Sequence, residues 1–225
     1  MKPLIFDMDG VLVDPTYSYR AATIETIAHF SGRRITQETI AAMKNRGGYN
    51  DDCVLVADVL RGFGAEINYD CLRKQFHKLF WGFKEDGLVI RECWLVEDGI
   101  LGRLATTYRL AIYTGRPTRA AHFTLRRFAE GIVFDPVITS DLVEHQKPAP
   151  DGLLRVLESF PDCEATYVGD NIDDARCARA AGVAFVGVAA SNALRRDEIV
   201  QLFTDEGAQA VVESVNELES ALCEL

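Results

Sequence analysis

The chain has 225 residues, with 24 Lys and Arg against 34 Asp and Glu, for a formal charge of −10. A hydrophobic fraction of 48% beside 26% charged residues excludes a disordered chain. A pI near 4.9 sets the chain against phosphate backbones and anionic lipid, so no nucleic-acid or membrane partner is expected.

The first predicted element is a strand at 4–6, an unbroken apolar run. Helical patterns follow near 16–30, 36–46, 51–62 and 69–82, with no second strand for about 100 residues. From about residue 95 the rhythm changes. Helices near 95–107, 117–130, 151–159, 172–181, 192–203 and 214–223 alternate with strands at 110–114, 137–139, 166–168, 185–188 and 210–212. Pro117 suits a first helical turn and Gly182 a C-terminal cap. Apolar runs of this kind suit parallel strands covered on both faces. The expected fold is therefore α/β, a Rossmann-like doubly wound parallel sheet. Its core is predicted over 1–14 and 93–225, with 15–92 inserted as an all-helical second domain. The insert holds 11 Lys and Arg against 10 Asp and Glu, a net of +1 beside −11 on the remainder.

The cysteines at 53, 71, 93, 163, 177 and 223 form no CxxC pair and have no zinc-like spacing. They read as mostly buried small hydrophobes in a reducing compartment. Asp7 and Asp9 break the first apolar run, and no stretch approaches 18 apolar residues, so a cytoplasmic location is expected.

In an open parallel sheet, ligands bind beyond the carboxyl ends of the strands. The first end reads Phe6-Asp7-Met8-Asp9-Gly10, where alternation lets both acids face one site while Met8 turns away. The second reads Tyr113-Thr114-Gly115-Arg116-Pro117, a hydroxyl and a glycine ahead of exposed helix N–H groups, suited to an anion. The third is Gln146-Lys147-Pro148, in which Pro148 favours an extended Lys147. The fourth is Gly169-Asp170-Asn171-Ile172-Asp173-Asp174, whose three acids repel unless a cation gathers them. Each motif alone also reads as a helix cap or a solvated loop. Together they suit Mg²⁺ shared between carboxylates and a phosphate, with a carboxylate nucleophile.

The run Asp7-Met8-Asp9-Gly10-Val11-Leu12-Val13-Asp14 resembles the first signature of the haloacid dehalogenase superfamily. Thr114-Gly115-Arg116 resembles its second, Lys147-Pro148 its third, and Gly169-Asp170 through Asp174 its fourth. The helical block resembles the alpha-helical cap of the subfamily containing phosphoglycolate phosphatase and beta-phosphoglucomutase. The resemblance implies Asp7 as nucleophile and Asp9 as general acid/base, with Thr114, Gly115, Arg116 and Lys147 around the phosphoryl group. It implies Mg²⁺ held by the Asp7 side chain, the Asp9 backbone carbonyl and Asp170, with Asp174 close by or in an outer position. Asp173 is left as a helix-end acid. True dehalogenases lack an acid two residues after the nucleophile, so Asp9 points to phosphoryl transfer.

The expected activity is a Mg²⁺-dependent phosphatase acting on a small phosphorylated metabolite through an aspartyl phosphate. A phosphomutase on a sugar phosphate uses the same residues, and an aspartate-phosphorylated signalling domain is the alternative of another class. In the insert, Lys44 and Arg46 are candidates for substrate contact, with Tyr17 and Arg20 behind them. The competing reading is a helix ended at Gly47, with basic residues favouring its negative pole.

Overall fold

Pro3 opens the first strand, β1 (Pro3–Phe6), where a missing N–H costs no ladder bond, and all four residues are buried. The computed structural model describes residues 1–224. Two short strands absent from the sequence expectation, β2 (Val13–Asp14) and β3 (Cys93–Trp94), pair as a ribbon where the chain leaves and re-enters the sheet region. Two residues carry no readable period, which is why the sequence did not reveal them. The chain divides into two compact units, Met1–Val13 with Trp94–Leu225, and Asp14–Cys93.

The second unit is helical apart from the ribbon residues: α1 (Tyr19–Ser31), α2 (Gln37–Lys44), α3 (Asp52–Gly62) and α4 (Tyr69–Trp81), followed by a 3₁₀ turn at Leu88–Arg91. Side chains of Thr36, Asp51 and Asn68 accept backbone N–H bonds at the starts of α2, α3 and α4. Such caps are worth about 1 kcal/mol each. Helix α1 packs on α3 and α4. Ala22, Ile27, Leu55, Val56, Leu60, Leu72 and Phe80 fill the core, and Tyr19 lies against Phe80 with ring centroids 4.3 Å apart.

The first unit continues with α5 (Ile100–Thr107), β4 (Arg109–Tyr113), α6 (Thr118–Phe128), β5 (Val137–Ile138), α7 (Asp151–Leu157) and β6 (Thr166–Gly169). It closes with α8 (Ile172–Ala181), β7 (Ala184–Val188), α9 (Arg196–Asp205), β8 (Ala210–Val212) and α10 (Leu218–Cys223). The sheet order is β5-β4-β1-β6-β7-β8, every pair parallel. The order reverses beside β1, so the topological switch point lies at the carboxyl end of that strand.

Strand alternation sorts the core onto two faces. Leu4, Phe6, Leu110, Ile112, Val168 and Val186 pack with Leu101, Leu104 and Leu218. Ile5, Ala111, Tyr113, Tyr167 and Phe185 pack with Leu153, Ala178 and Phe203 on the other. Both faces are covered, which accounts for unbroken apolar strands.

Several boundaries differ from expectation. Residues 95–99 are not helical: the Leu95 N–H bonds the Leu12 carbonyl at 2.9 Å, and α5 begins only after Gly99 at φ 84°. The helix expected from 192 starts at Arg196, after Arg195 in a left-handed conformation. A 3₁₀ turn at Val215–Glu217 replaces the start of the last helix. Pro117 is the N-cap of α6 rather than part of its first turn. The cysteine expectation fails for most sites. Only Cys53 and Cys177 are buried, and Cys71, Cys93, Cys163 and Cys223 are exposed, although all six are unpaired thiols.

Candidate active site

Beyond Phe6 the ladder continues for one more bond, from the Asp7 N–H to the Val168 carbonyl at 2.8 Å. This places Asp7 at the seam between β1 and β6. Met8 turns inward and is fully buried with Val11, Leu12 and Val13. Asp7 and Asp9 are left on the polar side, as alternation predicts. Gly10 is needed at the exit: its φ is 71°, and a Cβ there would lie 1.9 Å from Asp170 Oδ2.

Asp7 is buried, and Lys147 Nζ stands 3.0 Å from its Oδ1. That contact is an ion pair without hydrogen-bond geometry, so the oxygen is enclosed with no directed partner. Burial pushes the Asp7 carboxyl up to about 6; Lys147 opposes this, while Asp174 and Asp9 add to it. One Asp7 carboxylate oxygen, one from Asp170 and one from Asp174 lie within 4.8 Å of one another.

Lys147 is the cation nearest this cluster. Its Nζ donates to Asp174 Oδ1 at 2.7 Å and to the Tyr167 hydroxyl at 2.9 Å, above the rings of Tyr113 and Tyr167. Burial works against its charge, but Asp174 and Asp7 outweigh burial and hold the ammonium above its ordinary value. Its peptide bond to Pro148 is cis.

Asp174 uses its second oxygen differently. Oδ2 accepts the Asn171 N–H at 3.0 Å, while the Asn171 side chain accepts from the Asp173 N–H, forming a capping box at the start of α8. The cap and the cluster thus share one carboxylate. Gly169 permits this, since a Cβ there would lie 2.5 Å from the Asp174 Cβ. Asp173 lies in the first turn of α8, as expected of a helix-end acid, but is 1% exposed.

At the end of β4, Thr114 is fully buried, its N–H on the Ile138 carbonyl at 3.0 Å. Its hydroxyl oxygen accepts the Arg116 N–H at 3.2 Å and keeps its own proton to donate. Arg116, expected among the phosphate binders, meets a carboxylate in this structure. The guanidinium is buried and grips Asp9 from Nε at 2.9 Å and Nη2 at 2.6 Å, while Nη1 donates to Thr124 Oγ1 at 2.7 Å. A fork meeting a carboxylate in two parallel bonds is held more strongly than it would be by transient solvent.

A family comparison settles what kind of chain this is. The profile of the haloacid dehalogenase-like hydrolases matches residues 1–182. The chain belongs to that family. It is 32% identical over 198 residues to the imidazoleglycerol-phosphate dehydratase of Phytophthora nicotianae, covering 84% of this chain but only 43% of that protein. It is 25% identical over 186 residues to the phosphoglycolate phosphatase of Cereibacter sphaeroides strain ATCC 17029, covering 82% and 84% respectively. A haloacid dehalogenase-like hydrolase structure from Bacteroides fragilis superposes with a TM-score of 0.77 at 20% identity, over 96% of this chain and 99% of that one.

For a hydrolase of this family, the structure brings Asp7, Lys147, Asp170 and Asp174 together and places Asp9 against Arg116. In the helical unit, Lys44 pairs with Asp52 at 3.0 Å, and α2 ends at Lys44, ahead of Gly47 at φ 83°. Arg46 is exposed in the turn that follows. Tyr113, Tyr167 and Thr124 were not foreseen. A buried strand phenol usually finds a partner for its hydroxyl, as Tyr167 does on the Tyr113 carbonyl and Asp174, whereas the Tyr113 hydroxyl has none among the described residues. Thr124 sits in an ordinary helical pattern and carried no signal.

Proposed function

We propose that the chain is a Mg²⁺-dependent phosphatase that hydrolyses a small phosphate monoester through an aspartyl phosphate on Asp7. The observation that carries this is the Asp7 Oδ1 oxygen: buried, undirected by any hydrogen bond, and paired with Lys147 at 3.0 Å. A carboxylate at a strand end beside an ammonium suits attack on a phosphoryl group whose charge that ammonium helps to mask. Three hard carboxylates within 4.8 Å, one of them an acid that burial pushes up to about 6, fit a small divalent cation. Asp7, Asp170 and the Asp9 backbone carbonyl are the residues we assign to Mg²⁺, with Asp174 adjacent. When bound, Mg²⁺ neutralises charge on the carboxylates and the phosphate.

The chain's own groups supply the rest. Asp7 forms a bond to phosphorus while the bond from phosphorus to the ester oxygen breaks. Asp9 gives the departing alkoxide its proton. Lys147, the Thr114 hydroxyl and the Gly115 N–H receive the phosphoryl oxygens. In the second half, Asp9 takes a proton from water, the water oxygen bonds to phosphorus, and the bond to Asp7 breaks. Phosphate leaves, and both acids return to their starting states.

The helical unit is proposed as the cap that selects the ester, with Lys44 and Arg46 as contacts. The six unpaired thiols support action in the cytoplasm, where thiols stay reduced. No helix among the described residues is long and apolar enough to cross a membrane. The test is a screen of phosphate esters with Mg²⁺, ranked by kcat/KM. Release of inorganic phosphate without a bisphosphate activator supports the phosphatase over a mutase. A lasting phospho-form without turnover overturns both in favour of a signalling domain.

A further inference from the structure

Arg116 lies 107 residues from Asp9 in sequence, yet its planar fork meets both oxygens of that carboxylate, at 2.9 and 2.6 Å. The arginine side chain is 1% exposed and the Asp9 side chain 29%, so one partner is fixed in the interior while the other reaches the polar side. Thr124 on α6 holds the remaining arm through Nη1 at 2.7 Å. The Arg116 backbone is tied as well, its N–H to Thr114 Oγ1 and its carbonyl to the Ser140 N–H at 3.1 Å. We infer that Arg116 is a positioning residue that fixes the plane of the Asp9 carboxylate, and that Thr124 in turn fixes Arg116. The inference rests on the phosphatase reading of Asp9.

The physical argument concerns rotation. Asp9 lies beyond the end of β1, in an isolated bridge to Val13 and ahead of a left-handed glycine, outside any helix or named strand. A carboxyl group that hands a proton to one departing oxygen, and as carboxylate takes one back from water, must be presented within a narrow angle, and small misplacements are costly. A point charge such as lysine would attract Asp9 without setting its plane, whereas a guanidinium sets both distance and plane. Nε, Nη1 and Nη2 each donate to a partner inside the protein, so the role we assign Arg116 is exerted through Asp9.

The test compares wild type, Arg116→Lys, Asp9→Asn and the double variant with Mg²⁺, on glycerol 2-phosphate and on p-nitrophenyl phosphate. Arg116→Lys is expected to lower kcat on the alkyl ester about 10- to 100-fold, part of the full effect of an acid/base group, with KM unchanged within about twofold. The aryl ester, whose leaving group needs little help, should lose less. In the Asp9→Asn background, Arg116→Lys should cost less than about twofold further, because residues acting as one unit are not additive. Thr124→Val tests the same strut without touching a charge: a smaller kcat loss is expected, recovered by Thr124→Ser. A rise in KM at constant kcat would make Arg116 a direct phosphate ligand and overturn the proposal, as would additive losses in the double variant. Should Arg116→Lys not fold, no kcat change in Thr124→Val overturns it. A wild type that turns over neither these esters nor any other ester of the screen sinks the phosphatase reading and the positioning role with it. An active wild type with additive losses sinks only the latter.

Discussion

Asp7 is held at odds with its own charge. Its carboxyl is pushed up to about 6, chiefly by burial, against an ordinary 3.8. The folded protein therefore binds that proton more tightly than the unfolded chain does. By linkage, the stability Asp7 contributes falls as pH rises from about 4 to about 6 and stays low above that. Asp7→Asn lacks this titration. The difference in unfolding free energy, wild type minus Asp7→Asn, should shrink through that window in chelator, as measured by urea unfolding at each pH. Added Mg²⁺ should reverse the trend, since a cation favours the carboxylate. The same substitution is expected to abolish turnover, because an amide keeps the shape and loses the attacking charge. Activity within tenfold of wild type would remove Asp7 as nucleophile.

Helix α8 illustrates how an element serves a site. Its N-terminus is closed by Asn171 and Asp174, and Asp174 also reaches Lys147 and Tyr167. Asn171→Ala removes one half of the capping box, with an expected loss of about 1 kcal/mol. Because the box also orients Asp174, kcat should fall alongside the melting temperature. Unchanged kcat with a lowered Tm would separate the cap from the cluster. Packing behind the site is equally exacting. A Cβ at Gly187 of β7 would lie 2.4 Å from the Phe203 ring of α9, so Gly187→Ala is expected to cost about 1–3 kcal/mol by overpacking. The capping signal was legible in the order Asn171-Ile172-Asp173-Asp174. Its second use was not, because nothing local in the sequence says that a cap acid also faces a lysine 27 residues away.

Across the molecule the charge is uneven, with +1 on residues 15–92 and −11 elsewhere. If Lys44 and Arg46 meet an anionic substrate, changing both to Ala should raise KM for the native ester and affect a small aryl phosphate much less. Lys44 also pairs with Asp52, so a shift in Tm with equal KM on both substrates would return it to a structural part. Chelation is expected to silence the enzyme and Mg²⁺ to restore it. Ca²⁺ should bind and support little turnover, since its larger and looser coordination misplaces the nucleophile. Full activity in excess chelator would contradict the metal assignment.

Apolar runs at regular spacing determined the parallel sheet, and a hundred residues without a strand determined the helical unit, because both are properties of pattern along one dimension. Asp7, Lys147, Asp170 and Asp174 were legible too, since the ends of parallel strands must converge on one edge of the sheet. The ribbon of β2 and β3 was too short to leave a period. Arg116 was less legible: its neighbours Thr114 and Gly115 suggested a phosphate, and the same residue type serves either anion. Only the tertiary structure brings Arg116 to Asp9. Asp9 and Arg116 are separated by 107 residues, and the direction in which a long buried side chain reaches is set by what packs around it, here Thr124 and the end of β4.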